Sequence, residues 1–260
     1  AGWDVRRQGV SENSGRRLRV YCSGETHTWI QKAADLSGLG TESIRWITTD
    51  SKLRMDLSTL RRQIEADTAA RDVPFLVVGT AGSVSTGVVD PLPEISALCK
   101  EYGLWFHVDG AYGGFAAAVP QAHDDLRGLS QADSVAVDPH KWLYAPLEAG
   151  CTLVRDPEIL RSAFAYHPPY YHFDEQATNY VDYGPQNSRG FRALKVWLAL
   201  KLVGAVGYRN MIADDIRLSK AMAQAVSRHA ELAAHDPGIE HNDLPVRAER
   251  SSNETARIRG

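Results

Sequence analysis

Between Leu18 and Phe164 one pattern repeats: a short apolar run rich in β-branched or aromatic residues, then a stretch with helical spacing. The runs are LRVYC, SIRWITT, PFLVVGT, LWFHVD, DSVAVD and GCTLVRD. Helices are expected from about Thr26 to Leu36, from Asp56 to about Thr68, from Pro91 to Tyr102 and near Pro157 to Phe164. Strands that alternate with helices need crossover connections, and these build a mainly parallel sheet flanked by helices. The near-continuous runs FLVVG and LWFHV fit strands covered on both faces. The fold class is α/β. Local chemistry marks several boundaries. Asp56 stands where it can cap a helix whose Leu57, Leu60 and Ile64 share one face. Gly38 and Gly40 end the helix before it.

Residues 1–17 are polar and basic with no apolar period, and read as a linker or frayed segment. Residues 18–190 form the main domain. Within it the texture changes after residue 165, where AYHPPYYHFDEQATNYVDYGPQNSRG shows no period of 2 or 3.6. At that length a structureless segment inside a compact domain is usually functional or disordered. Helices from Phe191 to Val203 and from Tyr208 to about Ala234 make residues 191–234 a second unit. The tail, 235–260, has scarcely any apolar residues and is expected to be disordered. No internal repeat is visible.

Hydrophobic residues make up 43% of the 260 and charged residues 23%, which excludes an intrinsically disordered chain. The net charge is 29 − 32 = −3, without a clustered basic face, so no nucleic-acid partner is expected. Cys22, Cys99 and Cys151 are odd in number and widely spaced, which fits a reducing, cytoplasmic compartment. The richest apolar stretch, Val196 to Val206, is interrupted by Lys201 and falls short of the roughly 20 apolar residues a membrane span needs. The opening AGWDVRRQGV has neither an initiator Met nor a signal-peptide core, and reads as a cut inside a larger chain.

Dinucleotide, P-loop, HExxH and GxSxG signatures are all missing. His167 and His172 read as ordinary polar loop histidines, and no metal site is expected. What stands out is a pair of strand ends. HVDGAYGG puts Asp109 at the carboxyl end of one apolar strand, and SVAVDPHKWLY puts Lys141 just past the end of the next. Ligand sites in open parallel sheets form at that edge. A lysine and a carboxylate converging there suit pyridoxal phosphate: the lysine forms an imine, and the carboxylate keeps the pyridine nitrogen protonated. Ala111, two residues on along an extended chain, is placed to pack beneath a flat ring. A helix cap for Asp109 and a solvated surface role for Lys141 are the ordinary alternatives. Against them, Lys141 is one of only seven lysines beside 22 arginines. It also lies among Val135, Val137, Trp142 and Leu143, an apolar wall expected to lower its amine pKa.

HVDGAYGG followed by DPHKW resembles the group II pyridoxal-dependent amino-acid decarboxylases, relatives of aromatic-L-amino-acid decarboxylase. The resemblance runs from about Leu18 to Ala234. It implies the fold type I architecture, with residues 18–190 as part of the cofactor-binding large domain and 191–234 as helices leading to a missing small domain. It also implies a homodimer with an amino-acid substrate, and a segment from about Tyr166 to Asn187 that packs poorly or is disordered without ligand because the family closes it over substrate. Residue by residue, Lys141 resembles the lysine that holds the cofactor, Asp109 the partner of the pyridine nitrogen and Ala111 the small residue on the ring. His27, in CSGETHTWIQKAA, resembles the histidine stacked on the opposite ring face, which meets the substrate carboxylate. Thr80 resembles the threonine beside the ring, and His140 the histidine before the lysine. Tyr170, in HPPYY, resembles the loop tyrosine that returns a proton to the substrate carbon after carbon dioxide leaves, with Tyr171 as the alternative register.

Two departures matter. Many relatives carry Asn where Asp138 stands, near the cofactor phosphate; a charged Asp there must use its backbone amide, be protonated or turn away. The family's phosphate-binding loop and most of its small domain also fall outside the sequence, which thus reads as truncated at both ends, with weak or absent cofactor binding and turnover expected of it alone. The expected reaction is decarboxylation of an L-amino acid to an amine. The alternatives are another fold type I enzyme (a carbon–carbon lyase or an aldehyde-forming relative) or a non-catalytic remnant.

Overall fold

A computed structural model of the chain describes residues 4–10, 15–170 and 177–229. Its centre is a six-stranded sheet in the order β2-β1-β3-β4-β5-β6. The strands are β1 (Leu18–Ser23), β2 (Ile44–Ile47), β3 (Val73–Thr80), β4 (Trp105–Asp109), β5 (Ser134–Val137) and β6 (Cys151–Val154). All neighbours pair in parallel except β5 and β6, which are antiparallel. Each strand coincides with one of the six apolar runs, and the mainly parallel sheet is as expected.

Alternation within the strands divides the core between two faces. Tyr21 and Val77 join the larger cluster, with Leu60, Ile64, Leu92, Ile95 and Phe106. Val20, Cys22 and Val78 face the other way, onto Ile30 and Ala34. The helices are α1 (Val5–Gln8), α2 (Trp29–Leu36), α3 (Leu57–Ala69), α4 (Leu92–Tyr102), α5 (Pro157–Phe164) and α6 (Arg192–Val226); α3, α4 and α6 cover the first face and α2 the second. α3 begins as the sequence suggests, with the Asp56 carboxylate accepting from the Thr59 amide at 2.7 Å. α2 ends on Gly38, which takes the left-handed φ of 73° that a glycine reaches without strain.

α6 is two helices in one run: at Gly204 the backbone leaves the helical region (φ 71°, ψ 167°). That break falls between the two expected helices. Only Tyr208, Ile212 and Ile216 of α6 are buried, a stripe at i, i+4 and i+8. The Tyr208 hydroxyl donates to the Leu143 carbonyl at 2.9 Å and ties the helix to the turn that carries Lys141.

Two expectations are corrected. Residues 1–17 are not simply a linker, because α1 forms a helical turn whose Arg6 grips the end of α5. Its Nε donates to the Tyr166 hydroxyl at 2.9 Å, its guanidinium lies over the Tyr166 ring, and it also bonds the Ser162 and Ala165 carbonyls. Nor is all of Tyr166 to Asn187 poorly packed. Tyr180–Tyr183 forms a short 3-10 helix against α5, and its buried Asp182 meets His167 Nε2 at 2.9 Å. That contact spans 15 residues, so no local period reveals it. Residues 171–176, with Tyr171 and His172, and those from 230 on, with the expected tail, lie outside the described residues.

Candidate functional site

The carboxyl edge of the sheet brings together the ends of β3, β4 and β5. Thr80 and Asp109 are partners across β3 and β4, and Asp109 partners Ala136 across β4 and β5. Lys141 follows β5 by four residues and so lies at the same edge. A chain of contacts connects the pair. Lys141 Nζ lies 2.9 Å from Asp138 Oδ2, the Asp138 amide donates to the Ala111 carbonyl at 3.2 Å, and the Ala111 amide donates to Asp109 Oδ1 at 3.1 Å.

Backbone packing makes this approach possible. Gly113 donates to the Ala81 carbonyl at 3.0 Å, and a Cβ at Gly113 would sit 2.4 Å from that oxygen. The loops after β3 and β4 therefore touch main chain to main chain, which only glycine allows. Below them Asp90 is wholly buried, accepting from the Met55 amide at 2.7 Å and the Thr80 amide at 2.8 Å. Burial pushes its carboxyl up to about 6, against the opposing pull of those amides.

Asp109 is 8% exposed. Its second oxygen, Oδ2, accepts from the Trp29 indole at 2.6 Å. Ala111 does not continue the strand. β4 stops at Asp109, whose side chain takes the Ala111 amide and turns the chain, so Ala111 sits half-buried in that turn. Its place beside Asp109 thus comes from a turn and not from strand alternation.

The surroundings of Lys141 also differ from expectation. Trp142 and Leu143 are buried and face away into the core, while the Lys141 ammonium meets the Asp138 carboxylate instead of an apolar wall. Asp138 thus uses its amide on Ala111 and turns its charge toward Lys141. The Tyr112 ring lies 6.0 Å from Lys141 Nζ. His140 Nδ1 is 2.6 Å from the Ala149 carbonyl, and its Nε2 lies 3.8 Å from Asp138.

His27 is exposed at the start of α2, where its Nδ1 accepts from the Trp29 amide at 3.2 Å. It reaches the Asp109 group through Trp29. Tyr170 stands elsewhere. It is 73% exposed and lines a cavity of about 540 Å³ with Phe164, Tyr166, His167, Val181 and Asp182, none of them residues of the Lys141 group.

Pyridoxal phosphate can be tested against one buried atom. Thr80 Oγ1 is buried and has no hydrogen-bond partner among the described residues. Such a hydroxyl costs about 1–3 kcal/mol unless something satisfies it. It sits beside Asp109, where a polar aromatic ring would supply a partner, so the residues present fit the group.

Sequence reasoning gave Trp29 and Asp90 no role. Trp29 carried a signal, as a polar-edged aromatic two residues after His27. Asp90, before Pro91 at a helix start, looks like an ordinary cap; only the fold shows it bridging the end of β3 and the segment before α3.

Comparison with known proteins gives the context. Residues 5–237 match the family described as pyridoxal-dependent decarboxylase conserved domain. Aromatic-L-amino-acid decarboxylase of Bacillus atrophaeus is 36% identical over 220 residues, covering 83% of this chain and 46% of the relative. Phenylacetaldehyde synthase of Petunia hybrida is 36% identical over 217 residues, covering 81% and 43%. The crystal structure of mouse CSAD in apo form superposes with a TM-score of 0.85 at 32% identity, over 94% of this chain and 50% of that one. The chain therefore spans about half the length of the relatives it matches. With the fold type I architecture of that structure and a family match along most of its length, the chain belongs to the pyridoxal-dependent decarboxylase family.

Proposed function

We propose that this chain is the cofactor-holding part of an enzyme that decarboxylates an L-amino acid to its amine with pyridoxal phosphate. The connected path from Lys141 through Asp138 and Ala111 to Asp109 carries the reading. Bound there, pyridoxal phosphate would supply an electron sink for the pair left behind when carbon dioxide departs.

The residues divide the work. Lys141 provides the primary amine that would tether the cofactor, and Asp138 Oδ2, at 2.9 Å, holds that amine at the edge of the sheet. Asp109, fixed by two donors, would present its carboxylate to the ring nitrogen. Thr80 Oγ1 and Ala111 would border the ring, and His27 would cover its other face and meet the substrate carboxylate. His140 braces the turn through Ala149. Tyr170 returns the proton to the substrate carbon, which requires its segment to approach Lys141 when substrate binds.

The exposed apolar residues of the first half of α6, including Trp197, Leu198 and Leu202, support a homodimer in which this face is covered. Free Cys22, Cys99 and Cys151 support a cytoplasmic setting. Among the described residues no helix is long and apolar enough to cross a membrane.

A second reading, an aldehyde-forming enzyme, is favoured by the 36% identity to a phenylacetaldehyde synthase. Product analysis on a chain extended to the length of its relatives, fed a panel of aromatic and acidic L-amino acids, separates the two. Amine and carbon dioxide in equal amounts are expected, with Tyr170→Phe lowering the amine yield at least ten-fold while cofactor stays bound. Aldehyde as the main wild-type product contradicts the proposal.

A further inference from the structure

The Trp29 indole donates to Asp109 Oδ2 at 2.6 Å, a short hydrogen bond. The same residue's amide donates to His27 Nδ1. One residue at the start of α2 therefore touches both the carboxylate and the histidine that flank the proposed ring. From this geometry we infer that Trp29 is a positioning residue, which holds the Asp109 carboxylate in a single orientation toward the cofactor's ring nitrogen. The inference rests on the reading above and deepens it.

The surroundings of the indole agree. Trp29 is half-buried, and its ring meets His107 edge-on at 5.8 Å and 75°. His107 precedes Asp109 by two residues on β4, and its Nδ1 lies 2.8 Å from Ser134 Oγ, which the Trp105 indole also contacts. Burial lowers the His107 imidazole, which keeps it neutral. The donors to Asp109 are then neutral N–H groups, the Ala111 amide on one oxygen and the Trp29 indole on the other. Without the indole, Oδ2 loses its anchor, and the carboxylate can rotate about its Cβ–Cγ bond.

A double-mutant cycle tests this on a chain extended to the length of its relatives. Trp29→Phe keeps the aromatic body and removes the donor; Asp109→Asn removes the charge. The readouts are the pyridoxal phosphate dissociation constant and the position of the visible imine band. With Asp109 intact, Trp29→Phe is expected to weaken binding about ten-fold and shift the band; added to Asp109→Asn, it is expected to change binding less than about two-fold. Equal effects in both backgrounds would show that Trp29 acts through packing alone, and no effect in either would remove it from the site; each overturns the inference. The cofactor reading fails separately, if Asp109→Asn by itself leaves affinity and spectrum unchanged.

Discussion

The two ends of the sheet are built differently. Around β1 and β3 both faces are covered, and β4 is closed on one: Tyr21, Val77 and Phe106 lie under α3 and α4, and Val20, Cys22 and Val78 under α2. Around β6 the covers are thin. α5 has no buried residue, Leu153 on β6 is exposed, and α6 buries only one stripe. The candidate site straddles the boundary. Thr80 and Asp109 end strands of the closed half, while the Lys141 turn depends on α6 through Tyr208 to Leu143 and through the Tyr144 hydroxyl to Asp215. Tyr144 also holds a positive φ of 52°, a strained backbone for a side chain of its size. The half that orients the ring partner needs nothing more, whereas the half that carries the amine is steadied by a helix whose outer face still wants a cover.

That comparison breaks if the two ends cost the same to damage. Phe106→Ala, in the closed half, is expected to lose about 3–5 kcal/mol, and Leu202→Ala on α6 less than about 0.5 kcal/mol. Leu202 is 88% exposed and Phe106 1%. Urea unfolding followed by circular dichroism measures both, and similar losses would mean that α6 is already packed.

The next effect sharpens the picture through pH. Asp67 lies under the closed half, held by Arg45 and by the Tyr21 hydroxyl. Burial alone would raise its carboxyl, but the hydrogen bonds from Arg45, Gln63 and Tyr21 outweigh it and hold the group below its ordinary 3.8. A depressed folded pKa gives stability that is complete above the unfolded value and drains away as pH falls through the folded one. Asp90 has the opposite sign: pushed up to about 6 by burial, it costs stability as pH rises from about 4 to 6. Asp67→Ala is expected to lose about 3 kcal/mol at pH 7, since it leaves the buried Tyr21 hydroxyl without its acceptor and Arg45 with only Asp72 at 3.7 Å, and to flatten the acid limb below pH 4. Asp90→Asn should instead flatten the fall between pH 4 and 6. Thermal melts across pH 3–7 check both slopes.

The smallest effect is at a helix start. Asp56→Ala removes the cap of α3 and is expected to cost about 1 kcal/mol, visible as a shift in the urea midpoint with an unchanged slope.

The closed half was also the more legible in sequence. Its strands announce themselves as apolar runs, and its boundaries rest on local chemistry such as Asp56 and Gly38. The strand-end position of Asp109 and the place of Lys141 past β5 follow from the same patterns. What sequence reasoning missed are contacts between distant residues. Nothing within a short window links Trp29 to Asp109, 80 residues on, or His167 to Asp182. Arg6 reaching α5 across 156 residues is of the same kind. The apolar neighbours of Lys141 misled for a related reason: Trp142 and Leu143 turn into the core, and Asp138 takes the ammonium.

The most direct test of the account is a spectral titration with pyridoxal phosphate on a chain extended to the length of its relatives, comparing wild type, Lys141→Ala and Asp109→Asn. The account predicts a stoichiometric visible imine band in the wild type, its loss in Lys141→Ala, and a weakened, shifted band in Asp109→Asn. A band of full amplitude that survives Lys141→Ala would contradict it.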